Sequence, residues 1–224
     1  MARPAGLLLV DVSDYQKPSE VPWSDSRIAG GYVKLSEGVT AEKYSNAHVK
    51  SMTLAGKPFG GYHFFIPTDD PQLQWQTFAK QATAVGYGQG DLIPALDIER
   101  CITRGKWQEA DKSWCPTIAA LVALMVGGFG DVEIYCGWAT FIQLGAPSWM
   151  IKHRLWVPFV SVPGQAPPAS CRKSPAGKPA DIWQFMWGPL FGALEEPSSP
   201  VAIDQSVCQQ LPPFIAALNS GAQS

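Results

Sequence analysis

Leu92-Ile93-Pro94-Ala95-Leu96-Asp97-Ile98-Glu99 is an apolar run that ends in two carboxylates, and it follows the turn signal Gly88-Gln89-Gly90-Asp91. A short apolar run after a turn reads as a buried strand, here Leu92–Ile98. Alternate strand residues share a face, so Asp97 and Glu99 project the same way with Cα atoms roughly 7 Å apart. Two carboxylates held together at a buried strand end resist joint ionisation, which raises one pKa. The result is a protonated acid beside an anion near neutral pH, the pairing that glycoside cleavage uses. Taken alone, Asp97-Ile98-Glu99 also reads as a solvated strand end.

Working outward, further apolar runs give strands at Leu7–Val12, Gly31–Leu35, Phe59–Phe65, Val132–Cys136, Leu155–Phe159 and Ile182–Met186. Helical patterns lie between them near Ala41–Leu54, Pro71–Val85, Lys106–Met125 and Trp138–Leu144, with a short last helix at Phe214–Leu218. Strand–helix–strand order repeated several times predicts a parallel α/β sheet. So many strands in 224 residues predict a closed barrel with few or short helices, in one domain over residues 1–218 and a disordered tail at 219–224. Ser161–Ala180 holds five prolines and no periodicity, and reads as one long loop.

Composition narrows the function. The formal net charge is −2 and the pI about 5.9, so there is no basic footprint for nucleic acid. No apolar stretch approaches the roughly 20 residues that span a membrane. The apolar segment Leu7–Val10 runs straight into Asp11 and is too short for an export signal, so it reads as the first strand. Five cysteines (101, 115, 136, 171 and 208) form no C-x-x-C pair. Reduced, mostly buried thiols are expected, with a bridge such as Cys101–Cys115 as the alternative. His48 and His153 are isolated, so no metal and no cofactor is expected.

In a parallel barrel the catalytic groups gather at the C-terminal ends of the strands. Here those ends read Asp11-Val12-Ser13-Asp14-Tyr15-Gln16, Lys34-Leu35-Ser36-Glu37-Gly38, Tyr62-His63-Phe64-Phe65, Asp97-Ile98-Glu99 and Tyr135-Cys136-Gly137-Trp138, followed by Trp183-Gln184 and Asp204. Acids and aromatic rings converging on one rim suit a neutral polyol chain. Each piece also has a plainer reading. Asp11 and Ser13 suit a helix cap. Lys34 and Glu37 suit a salt bridge, His63 a hydrogen-bonded core histidine, and Trp138, Trp156 and Trp183 core packing.

The ordered set of motifs resembles the glycoside hydrolase family 25 lysozymes. The resemblance covers nearly the whole chain, through Val10–Gln16, Tyr32–Gly38, Gly60–Phe65, Pro94–Glu99, Glu133–Tyr135, Leu155–Val157, Ile182–Gln184 and Ala202–Asp204. It implies an irregular TIM-like β/α barrel with reduced helix content. The implied activity is hydrolysis of the β-1,4 bond between N-acetylmuramic acid and N-acetylglucosamine. By motif position Glu99 matches the general acid and Asp97 its partner carboxylate. Asp11 and Asp204 match the other acids, while Glu37, Tyr62, Tyr135, Trp138 and Trp183 are expected to bind substrate. The chain departs from the pattern at Phe185, at Phe159-Val160, at Gln205-Ser206 and in an insertion, Cys101–Trp114, beside Glu99. The expected partner is the peptidoglycan glycan strand, with no nucleic acid, no membrane insertion and a monomeric protein. The expectation is a phage-endolysin-like enzyme, made in the cytoplasm without a signal peptide and acting on the wall after release. The alternatives are a non-catalytic peptidoglycan-binding domain on the same fold and a hydrolase of chitin-like polymers.

Overall fold

A computed structural model describes residues 6–103, 105–158, 180–188, 203–208 and 210–216. In chain order it runs β1 (Leu7–Val12), β2 (Ile28–Glu37), β3 (Thr40–Ala41), α1 (Ser45–Leu54), β4 (Phe59–Phe64), α2 (Pro71–Val85), β5 (Ala95–Ile98), β6 (Cys101–Thr103) and β7 (Lys106–Gln108). It continues with α3 (Cys115–Phe129), β8 (Glu133–Cys136), α4 (Trp138–Gln143), β9 (Arg154–Pro158), β10 (Ile182–Gly188) and β11 (Ile203–Cys208). Among the described residues the main sheet has nine strands in the order β1-β11-β10-β9-β8-β5-β4-β2-β3. Because β1 also pairs with β2, the sheet closes on itself and only β3 stays outside the ring. Neighbours in the ring run parallel except around β11, which is antiparallel to both β1 and β10. This is the expected TIM-like barrel, in one domain with few helices.

Period-two alternation sorts the strands into an inside and an outside. Leu9, Tyr32, Ala95, Trp156, Ile182 and Cys208 form a cluster with Tyr62 and Tyr135 in the barrel interior. Their chain neighbours Leu8, Val10, Val33, Leu96, Ile134 and Leu155 belong to the larger core between sheet and helices. Glycine at position 60 is required by this packing. A Cβ there would sit 2.3 Å from the Tyr32 ring. Low in the barrel, Tyr32 donates to the Glu133 carboxylate at 2.8 Å, and the Arg154 guanidinium donates to its other oxygen at 2.8 Å. Burial still pushes Glu133 up to about 7, against the pull of Arg154.

The helix α2 spans the range that its end signals dictate. Asp70 accepts from the backbone N–H of Gln72 and Leu73, Pro71 opens the first turn, and Gly86 closes it at φ 74°. The helix expected over Lys106–Met125 is shorter at its start and longer at its end. Lys106–Gln108 pairs instead with Cys101–Thr103, and α3 begins at Cys115 with Pro116 in its first turn. Residues 112–129 are, by length and composition, apolar enough to cross a membrane, which the sequence reading did not credit. In this fold α3 turns Ile118, Leu121, Val122 and Met125 into the core and packs on α2.

Three other expectations change. The strand at Leu92–Ile98 shortens to Ala95–Ile98, since Pro94 has no N–H to give the ladder. Phe214–Ala216 is not helical. Phe214 bridges to Leu92, Ile93 N–H donates to the Pro213 carbonyl, and Ile215 is buried. The strand β11 was not anticipated. Cys101, Cys115, Cys136 and Cys208 are free thiols, and burial pushes Cys208 up to about 11. Cys171, most of the loop 161–180 and the tail 219–224 lie outside the described residues.

His63 is the core histidine that the plainer reading expects. Its Nε2 lies 3.0 Å from the Gln74 amide oxygen, and its Nδ1 lies 2.8 Å from the Ser36 hydroxyl. The Gln74 amide nitrogen donates to the Ile66 and Asp69 carbonyls, which fixes the amide and makes Nε2 the protonated ring nitrogen. Complete burial lowers the His63 pKa to about 4 from 6.5. The unfolded chain therefore binds the extra proton between those values, so this contribution grows as pH rises from about 4 to 6.5 and is lost as pH falls. His63→Leu is expected to cost about 1–3 kcal/mol in urea unfolding at neutral pH, because buried polar partners are left unmet. The cost should shrink towards pH 4, and a constant cost across that range would contradict the assignment.

Candidate active site

The inward positions turn polar towards the C-terminal mouth. Asp11 follows Leu9 by two residues, Lys34 follows Tyr32, Asp97 follows Ala95, Tyr135 follows Glu133 and Gln184 follows Ile182. One pocket at that mouth is lined by Asp11, Ser13, Tyr15, Lys34, Tyr62, Phe64, Ala95, Asp97, Glu99, Tyr135, Trp156 and Gln184. Strand register aligns the floor. Asp97 pairs across to Phe64 on one side and Tyr135 on the other, and Asp11 pairs to Tyr32 and to Asp204. Glu99 stands one residue past the end of β5, on the face of Asp97.

Burial is the main influence on Glu99, and it raises the pKa. The charges of Lys34 and Arg100 oppose it, and the carboxylate of Glu37 adds to it. Lys34 is 6% exposed. Its ammonium pairs with Glu37, pairs with Glu42 at 3.1 Å, and lies 4.7 Å from the centre of the Phe64 ring. Burial works to lower the Lys34 pKa, yet the bond to Glu37 and the charge of Glu42 leave it raised and the lysine charged. Burial pushes Glu42 up to about 7, and a hydrogen bond with Asp14 adds to that. Asp14 in turn accepts from the backbone N–H of Lys43 and Tyr44, which anchors the loop after β1 to the start of α1.

The aromatic wall is tied together by hydrogen bonds and a ring contact. The Tyr135 hydroxyl lies 2.7 Å from the Gln184 amide oxygen, to which it donates. Its ring meets Trp156 edge-on at 5.3 Å, and Trp156 Nε1 donates to the Ser206 hydroxyl at 3.0 Å.

Of the residues singled out from sequence, Asp11, Asp97, Glu99, Tyr62 and Tyr135 come together in this pocket. Asp11 lies within β1, not at a helix cap; Ser13 instead forms a turn with Gln16, whose side chain accepts from the Ser13 N–H at 2.9 Å. Glu37 stands behind the lining as a partner of Lys34. Trp138 opens α4 on the same rim, 43% exposed and outside the lining. The side chains of Asp204 and Trp183 lie outside the described part of the structure; Asp204 is set opposite Asp11 by strand register, and Trp183 opposite Val157. Sequence reasoning missed Lys34 as a pocket residue, and it missed Phe64 and Trp156. The available signal was parity, since all three share inward registers with residues already chosen.

A closed β/α barrel with acids and tyrosines at its C-terminal mouth suits glycoside hydrolysis. The chain belongs to the glycosyl hydrolases family 25, whose family model matches residues 10–187. No curated protein matches the sequence. Solved structures share the fold at low identity. A family 25 glycosyl hydrolase from Bacillus anthracis is 17% identical with a TM-score of 0.71, over 91% of this chain and 89% of that one. A lysozyme from Streptomyces coelicolor is 20% identical with a TM-score of 0.68, over 93% and 94%. The catalytic domain of endolysin ply40 from bacteriophage P40 of Listeria monocytogenes is 19% identical with a TM-score of 0.66, over 99% and 97%.

The charges around Glu99 have opposite signs, so their removal has opposite effects. Lys34→Met should raise the Glu99 pKa, and Glu37→Gln should lower it. A carbon NMR titration of the Glu99 carboxyl in both variants checks this. Shifts of the same sign, or none, would contradict the electrostatic account.

Proposed function

We propose that this protein is a peptidoglycan N-acetylmuramidase, with Glu99 as general acid and Asp97 as its partner. The observation that carries the reading is the grouping of Glu99, Asp97 and Asp11 in one aromatic-walled pocket, with the Glu99 pKa raised. Glu99 gives its proton to the glycosidic oxygen as the bond to the anomeric carbon breaks. Asp97 approaches from the same strand edge, and so from the same side of the sugar. That placement suits a carboxylate that steadies the substrate's own acetamido group as its oxygen closes on the anomeric carbon. Glu99, now a carboxylate, takes a proton from the water that completes hydrolysis. Asp11, with Asp204 across the strand pair, adds negative potential where positive charge develops. Tyr62 and Tyr135 line the sugar site, and Trp138 is a further candidate at its rim; strand parity sets Trp183 out of step with the inward Ile182 and Gln184, so it is not assigned to the sugar. The chain needs no metal in this scheme. The bacterial wall is the place of action, and endolysins and lysozymes among the structural relatives support that choice.

The experiment is digestion of purified peptidoglycan, with mass spectrometry of the new reducing ends. Muramic acid at those ends is the expected result. Glucosamine ends would point to a different bond, and binding without release would favour the binding-domain alternative. Glu99→Gln keeps the shape and removes the proton, and should lower the rate by roughly 10²–10⁴-fold. A folded Glu99→Gln protein within tenfold of the parent would remove Glu99 from this role.

The pH profile follows from the sign of the Glu99 shift. A raised pKa keeps the acid form present to higher pH, and activity is lost as pH rises through it. Asp97 must be ionised, which sets the acidic limb. A bell with its optimum below neutrality is expected on solubilised wall fragments. A profile flat to pH 9 would contradict the two-carboxylate scheme.

A further inference from the structure

The hairpin of β6 and β7 leaves the barrel directly after Glu99, and its outer face lies outside the pocket. The inner face is pinned, since Cys101 is 3% exposed and belongs to the core between sheet and helices. Alternation turns Ile102 to the other face, and register sets Trp107 directly across from it. The two do not bury each other; Ile102 is 56% exposed and Trp107 59%. Arg100 lies between Glu99 and this face. Its guanidinium sits 4.7 Å from the centre of the Trp107 ring, and its charge acts on the Glu99 carboxyl. The guanidinium holds the indole by a cation–π contact on one ring face. More than half of Trp107 stays exposed despite that contact.

We infer that Trp107 is a sugar-stacking platform that takes a ring of the same glycan strand beyond the pocket. This rests on the peptidoglycan reading above. The occupant follows from three features. Arg100, which contacts Trp107, directly follows Glu99 of the pocket in the chain. A flat, pre-oriented indole matches the apolar C–H face of a pyranose. The exposed apolar area is a tryptophan and an isoleucine, far below the roughly 800 Å² per partner that a stable protein interface buries. A repeating polymer adds contacts along its length, so a single extra ring is useful to it.

The test uses the full chain and two substrates: solubilised glycan strands many disaccharides long, and a fragment only long enough to fill the pocket. On long strands Trp107→Ala should raise KM roughly three- to tenfold with kcat unchanged, the worth of one aromatic contact. Trp107→Phe, which keeps a ring, should restore most of the loss, and neither variant should differ from the parent on the short fragment. An unchanged KM on long strands overturns the inference. So does an equal rise on both substrates, since the ring would then serve the pocket itself. If the parent cleaves neither substrate, the muramidase reading fails first. Retention of Glu99→Gln and of Glu99→Gln/Trp107→Ala on immobilised glycan strands then decides the platform, and equal retention overturns it.

Discussion

The hydrogen bonds between β1 and β2 close the sheet into a ring, and the rest of the structure depends on that closure. In a closed ring every strand residue faces either the lumen or the helices, so parity becomes a hard constraint. The lumen is filled low down by Leu9, Tyr32 and Ile182, with Glu133 and Arg154 paired beside Tyr32. Two residues further along the same strands, the same parity delivers Asp11, Lys34, Asp97 and Tyr135 to the mouth. A packed lower lumen therefore aims the site. A slip of one residue in β5 would turn Asp97 into the helix-side core and Leu96 into the pocket.

Charge balance at the mouth centres on Lys34. A buried ammonium is costly unless its partners are close. Glu37, Glu42 and the Phe64 ring supply them. The same lysine opposes the upward effect of burial on Glu99. Glu99 is thus held between burial, which favours the neutral acid, and two cations, which favour the carboxylate. A group with that balance can both release and recover a proton, which is what hydrolysis at a single acid requires.

Much of this was legible in the sequence because the signals are local. Alternation at Ala95–Ile98, the Asp70-Pro71 start of α2 and its Gly86 stop are each readable within a few residues. The two carboxylates of the pair, Asp11, Tyr62 and Tyr135 were found from strand ends. What the sequence hid depends on distant partners. The strand β11 is short and antiparallel, and it is defined by its pairing with β1 and β10. The hairpin over Cys101–Gln108 carries no long alternation; it reads in sequence as part of an insertion, Cys101–Trp114, and its second strand, from Lys106, as the start of the helical pattern that follows. Lys34 read as one half of a surface pair with Glu37, since nothing nearby in sequence announces Glu42 and Phe64 as its other contacts. Phe214 looked helical because its partner, Leu92, lies far back in the chain.

The central claim is that Asp97 and Glu99 act as one unit on a single bond-breaking step. The direct measurement is a double-mutant cycle in kcat/KM on solubilised wall fragments, with Asp97→Asn, Glu99→Gln and the two combined. Residues that work together are strongly non-additive, so the double variant should be scarcely slower than the worse single one. Losses that multiply would assign the two carboxylates to separate steps and contradict the account.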